Sequence, residues 1–124
     1  MLQPTRVEDV QPFVIGAALF YPLSSPSRGG TELAVWQLRI DPGPAGVPHT
    51  IDREEVFVCV SGELLITVDD EQVQLTAGHS LAVPGGSRLS AGGGADGAVV
   101  TVCTRAGLSA KLDDGSVLNP PWAS

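Results

Sequence analysis

The sequence predicts an all-β barrel or sandwich, and three observations predict it. Glycine and proline together make about a fifth of the 124 residues, placed between short apolar runs rather than inside long ones. Several of those runs alternate apolar and polar side chains with the period of two that lines one face of a strand. No stretch combines helical periodicity, caps and sufficient length to be read as a helix. At this length the chain is expected to form one domain, residues 1–124, with no linker and no internal repeat.

The strands can be justified in order. Phe13 to Phe20 is the first apolar run, closed by Pro22 and the Ser/Pro/Gly stretch Ser24 to Gly30. Thr31 to Ile40 alternates strictly, with Leu33, Val35, Gln37 and Arg39 on one face and Ala34, Trp36, Leu38 and Ile40 on the other. Asp41-Pro-Gly-Pro-Ala-Gly forces a turn, because proline fixes φ and glycine reaches conformations other residues avoid. Glu54 to Val60 is β-branched and aromatic. Ser61-Gly62 breaks it, and Glu63 to Val68 is expected to fold back as its hairpin partner. Asp69-Asp70-Glu71 makes the next turn, before Gln72 to Leu75. Ala77-Gly78 and Pro84-Gly85-Gly86 bound a strand over Ser80 to Val83, Gly92-Gly93-Gly94 reads as a flexible turn, and Gly97 to Thr104 is the last strong strand. Residues 105–124, ending Asn119-Pro-Pro-Trp-Ala-Ser, read as an extended tail across the barrel.

Composition excludes several partners. A formal charge of −7 offers no basic patch to neutralise phosphates, so neither nucleic acid nor an anionic membrane is an expected partner. The run Phe13 to Phe20 is far too short to span a bilayer, and the first residues lack the order of a signal peptide. Cys59 and Cys103 both sit in apolar, strand-like runs and read as reduced thiols. A cytoplasmic protein is the expectation.

One segment carries a motif. Pro42-Gly43, then Pro48-His49-Thr50-Ile51-Asp52-Arg53-Glu54-Glu55-Val56-Phe57, then Gly62-Glu63, resembles the first signature of the cupin superfamily, with its Pro-Gly turn, His-x-His, glutamate and later glycine. Gly78-His79-Ser80-Leu81-Ala82-Val83-Pro84-Gly85-Gly86-Ser87-Arg88-Leu89 resembles the second signature. The core motifs thus span about residues 42–89, and the intervening length suits the expected hairpin. The resemblance implies a small single-domain cupin, cupin-2-like, whose double-stranded β-helix is a jelly-roll barrel. Function does not follow from such a fold alone.

Carried over position by position, the resemblance implies a degenerate metal-binding motif. The first histidine is His49, but the second falls on Ile51; the glutamate is Glu55, and the last histidine falls on Leu89. His79 stands at a turn position outside the ligand set. Aliphatic side chains donate no lone pair, and the chain holds only two histidines, so no functional metal is expected. Any ion would be a weakly held divalent transition metal on His49 and Glu55.

His49 and Glu55 also suit a general acid/base pair, if they share the interior and hydrogen-bond. By strand parity, Ile51 follows His49 inward, and Phe57 and Cys59 follow Glu55. With Leu89, and with Trp36 from the preceding strand, these residues would line a mostly apolar pocket for a small organic ligand. If the opposite face of Trp36 were the interior, Arg39 could instead hold a carboxylate. Three functions stay open: a metal-free binding protein, a small isomerase, cyclase or lyase, and an oxygenase-like metal enzyme with an atypical ligand set. A homodimer is expected, because exposed strand edges need cover.

Overall fold

The structure, a computed structural model, describes residues 2–124 and contains ten strands. They are β1 (Phe13–Ile15), β2 (Ala18–Ser24), β3 (Leu33–Ile40), β4 (His49–Ile51), β5 (Glu55–Val68), β6 (Glu71–Thr76), β7 (Ser80–Val83), β8 (Arg88–Arg105), β9 (Ala110–Leu112) and β10 (Val117–Leu118). The only helical pieces among the described residues are 3-10 turns at Val7–Asp9, Pro26–Arg28 and Pro121–Ala123. None of the described helices is long and apolar enough to cross a membrane.

Two long strands organise the barrel. β5 and β8 run antiparallel over almost their whole length, from Glu55 opposite Thr104 to Val68 opposite Leu89. On the other edge of β8, residues 98–105 pair with β3, and Arg88 and Leu89 pair with β4. On the other edge of β5, Glu55 to Val58 pair with β7, and Glu63 to Val68 pair with β6. Each long strand thus serves two groups of neighbours, and the antiparallel sheet curls into a jelly-roll barrel. The bend lies where the β5–β8 register shifts, between Cys59 and Ser61 and again between Gly62 and Leu64. Gly62 (φ 75°) and Gly97 (φ 67°) face each other there. A Cβ on Gly62 would overlap the Gly97 carbonyl, so only glycine lets the two backbones cross.

Alternation fills the interior. Ala34, Trp36 and Leu38 of β3, Phe57 and Cys59 of β5, and Val100 and Val102 of β8 belong to one buried cluster. After the bulge the inward parity of β5 switches from odd to even residues, and Leu64 and Ile66 continue the cluster. Each fully buried aliphatic side chain contributes roughly 1.5–3 kcal/mol, which makes this cluster the main source of stability.

The structure corrects five expectations. Phe13 to Phe20 is not one strand but a hairpin, β1 turning into β2 at Gly16-Ala17, since a positive φ at Gly16 reverses the chain. Pro22 does not end β2; it pairs with Trp36 beside a register shift and beyond the reach of β1, where no ladder donor is missed. Glu63 to Val68 is the continuation of β5, not its hairpin partner; the partner is β6, joined through Asp69 and Asp70, both at positive φ. Gly92-Gly93-Gly94 is no flexible turn but part of β8. The 41–46 loop lies directly on it, with Gly46 N donating to the Ala91 carbonyl at 2.9 Å, and a Cβ on Gly93 would come within 2.5 Å of the Asp41 carbonyl oxygen. Finally, residues 105–124 are more than an extended tail. β9 pairs with β4, β10 returns along β9, and Trp122 stacks on Phe20 with ring centroids 3.9 Å apart.

Candidate functional site

β4 is short because Val47-Pro48 precedes it and Asp52-Arg53 ends it, yet it is held on both sides. His49 lies opposite Leu89 of β8 and Leu112 of β9. The fold therefore brings the first and last ligand positions of the motif side by side, one imidazole against one isobutyl group. His49 is half-buried, and its Nδ1 donates to the Val47 carbonyl at 3.2 Å. A carbonyl oxygen only accepts, so that bond requires a proton on Nδ1 and leaves Nε2 unengaged by it. Two residues on, Ile51 is fully buried.

Glu55 opens β5 between Val83 and Thr104. It is 4% exposed, and its carboxyl makes no side-chain hydrogen bond among the described residues. Burial disfavours the charged form, and its pKa is pushed up to about 7. Near neutrality this side chain is accordingly poised between a neutral acid, able to donate a hydrogen bond, and a carboxylate. Thr104, the neighbour across the ladder, spends its hydroxyl on the Glu54 carbonyl at 2.5 Å and not on the carboxyl. Sequence reading passed over Thr104; the inward parity of Val100 and Val102 would have found it.

The other expected lining residues, Trp36, Ile51, Phe57, Cys59 and Leu89, all belong to the same buried cluster, so the structure does gather them inside. Cys59 is unpaired, burial pushes its thiol up, and Sγ donates to the Ser61 carbonyl at 3.5 Å. The fold does not join His49 to Glu55: no hydrogen bond links them among the described residues, since His49 is turned to Val47. Arg39 and Gln37 face outward, opposite to Trp36. Arg39 donates to Gln37 at 2.7 Å and stacks 4.5 Å above Tyr21, so it guards no interior carboxylate site. His79 is exposed in the turn before β7, where Nδ1 accepts the Thr76 N–H at 3.1 Å.

The residues present do not fit the metal that the motif implies elsewhere. Among the described residues no three His, Cys, Asp or Glu side chains converge on one point. Ile51 and Leu89 offer only carbon at their positions, and His49 and Glu55 supply at most one nitrogen and one carboxyl group.

A family model described as Cupin domain matches residues 36–103, more than half of the chain, from Trp36 in β3 to Cys103 in β8. Among curated proteins none matches the sequence significantly. Solved structures share its shape. KdgF from Halomonas sp. superposes with a TM-score of 0.71 at 16% identity, covering 92% of this chain and 98% of that one. The polyketide cyclase RemF from Streptomyces resistomycificus gives 0.74 at 14% identity over 87% and 84%. An RmlC-like cupin from Shewanella frigidimarina gives 0.71 at 24% identity over 85% and 91%. At these identities the likeness is one of fold. Motif order, barrel topology and family match agree, and the chain belongs to the cupin family.

Proposed function

We propose that this cupin binds a compact, largely apolar organic molecule inside its barrel and uses no metal to do so. One observation carries the reading: Glu55, a carboxyl group buried among apolar side chains without a side-chain partner, and held near neutrality by burial alone. No buried side-chain oxygen is sealed off without a partner among the described residues, so the Glu55 carboxyl is still reachable, and a ligand acceptor could take its proton in a hydrogen bond. The complementary ligand has an apolar body and a neutral acceptor such as a carbonyl oxygen. Ile51, Phe57 and Leu89 suit the body, and Glu55 suits the acceptor. Replacing imidazoles by Ile51 and Leu89 also raises the cost of placing a bare cation there. The two unpaired cysteines suit a reducing, cytoplasmic setting.

The test combines metal analysis with ligand binding. Protein purified without added metal is expected to contain far less than one transition ion per chain; a stoichiometric ion bound by native protein would defeat the metal-free reading. A panel of neutral aromatic ketones and lactones, followed by Trp36 fluorescence in a Trp122→Phe background, should yield ligands that bind more tightly at pH 5 than at pH 9. If no ligand shows that pH preference, or Glu55→Gln leaves binding and its pH dependence unchanged, Glu55 is not the contact.

A second reading, a small isomerase, cyclase or lyase, is favoured by the same carboxyl, because a group titrating near 7 can give and take a proton. RemF, similar in fold, is a polyketide cyclase. With no direct bond between them, His49 and Glu55 would act on opposite sides of a substrate. His49 Nε2 would remove a carbon-bound proton while Glu55 protonates the carbonyl oxygen, giving an enol; His49 then delivers its proton to a different carbon as the enol oxygen returns its proton to Glu55, which completes an isomerisation. Binding retained with turnover lost in His49→Ala selects this reading over simple binding.

A further inference from the structure

Register stacks the interior of the barrel in rows. Ala34, Thr104, Glu55 and Val83 lie side by side across β3, β8, β5 and β7, and the next row inward holds Trp36, Val102, Phe57 and Leu81. The Glu55 row is the last at its end of the barrel: β5 begins at Glu55, β7 stops at Val83, and β8 stops one residue past Thr104. Side chains at an open barrel end meet water unless chain lies over them. All four residues of this row are nonetheless at most 4% exposed.

The cover is the segment 106–109, which leads from β8 to β9. Ala106 N donates to the Glu32 carbonyl at 2.9 Å, at the start of β3. The Ala106 carbonyl accepts Arg53 Nη1 at 2.6 Å, and these two residues lie two places beyond Thr104 and Glu55. Ser109 N donates to Asp52 Oδ1 at 2.9 Å, and Asp52 N donates back to the Ser109 carbonyl at 3.1 Å. The segment therefore spans the barrel end, from the start of β3 to the turn between β4 and β5. Between these anchors Leu108 is buried, in the same cluster as Ile51 and Phe57.

The bonds that hold the segment lie at the surface. The Arg53 and Asp52 side chains that clasp it are 24% and 43% exposed. Arg53 also donates to Asp52 through Nε and Nη2, so one guanidinium joins turn and segment. Gly107 (φ 94°) carries the backbone over that guanidinium, where a Cβ would stand 3.1 Å from Nη1. Bonds that water can replace open at small cost, whereas the ladders beneath open only with much of the fold. Glu55 keeps too little surface for a molecule with an apolar body to reach it past this cover.

We propose that residues 106–109 are a strap over the Glu55 end of the barrel, plugged by Leu108 and latched by Asp52 and Arg53, and that its lifting is the way into the interior. Its use as a ligand entrance rests on the reading of Glu55 as the ligand contact; the strap itself is tested without a ligand.

In amide hydrogen exchange of the whole chain, Arg53→Ala should speed Ala106 and Ser109 about fivefold and leave the β5–β8 ladder unchanged, the ratio expected for one lost hydrogen bond. Acrylamide quenching of Trp36, one row beneath Glu55, should rise at least about twofold when Leu108→Ala is made in a Trp122→Phe background. Leu75→Ala, at a buried leucine that pairs with Leu64 beyond the bend, should leave quenching unchanged. Arg53→Ala alters a partly exposed side chain and keeps the test alive if Leu108→Ala fails to fold. Exchange that Arg53→Ala leaves unchanged, or speeds equally across the ladder, overturns the strap. So does quenching that rises as much in Leu75→Ala as in Leu108→Ala. Neither readout uses a ligand, so the strap can fail while Glu55→Gln still reveals a ligand contact, and can stand where that contact fails.

Discussion

The inner and outer faces of β5 invert the usual rule. Inside stands Glu55, an acid without a side-chain partner, and outside stand Val56, Val58 and Val60, valines with water on one side. Both faces come from one stretch of sequence that, judged on hydropathy alone, reads as a buried strand throughout. The contrast teaches that departures from inside-apolar, outside-polar patterning mark different things. A polar group inside costs stability unless something satisfies it, which points to chemistry or a ligand; an apolar strip outside points to another surface.

The largest expected effect comes from breaking the bend that assigns the two faces. Gly62→Val would place a β-branched side chain at φ 75° against the Gly97 carbonyl, beyond which the inward parity of β5 changes. A loss of about 4 kcal/mol or more is expected, read as failure to fold or a collapse of the urea midpoint. Wild-type cooperativity in that variant would show that the bulge does not set the faces.

Next is the pH dependence of the inner face. Below the ordinary value of 4.5 the Glu55 carboxyl keeps its proton in both folded and unfolded chains. Between 4.5 and about 7 only the folded chain keeps it, so stability falls as pH rises; above about 7 the loss is complete. The span corresponds to about 3 kcal/mol, to be measured as the difference between wild type and Glu55→Gln from pH 4 to pH 8. Parallel curves for the two proteins would mean that the carboxyl is solvated.

Restoring the missing donors sharpens the same contrast. Ile51→His with Leu89→His should give the barrel zinc affinity at least about tenfold above wild type, measured by calorimetric titration, at some cost in core packing. Equal affinity would show that these positions do not converge with His49. The smallest effect is expected at His49 itself. It is half-buried with one bond to the Val47 carbonyl, so His49→Ala should cost only about 1 kcal/mol in denaturant unfolding.

Much of the fold was legible in the chain because strands report themselves locally. Counting in twos placed Phe57 and Cys59 on the side of Glu55 and put Trp36 and Leu38 on one face of their strand, and the two motifs located the framework between Pro42 and Leu89. Where reading failed, the cause was non-local. Gly92-Gly93-Gly94 looked like punctuation because nothing nearby shows that Asp41 to Gly46 will lie on it. Parity put Val58 and Val60 on the face opposite Phe57 and Cys59, but hydropathy cannot tell that this face remains uncovered. His49 and Glu55 could have bonded had both turned to one interior, but His49 has a partner two residues back.

The sequence by itself determined the strand class, the shared parity of Glu55, Phe57 and Cys59 before Ser61-Gly62, and the replacement of two nitrogen donors by Ile51 and Leu89. These depend on residue chemistry and on a period of two, both readable without neighbours. Only the tertiary structure decided that one carboxyl is dehydrated enough to hold its proton near neutrality, and that a row of valines faces outward. Dehydration and exposure are properties of what surrounds a side chain, and those surroundings come from strands as distant in sequence as β3, β5 and β8.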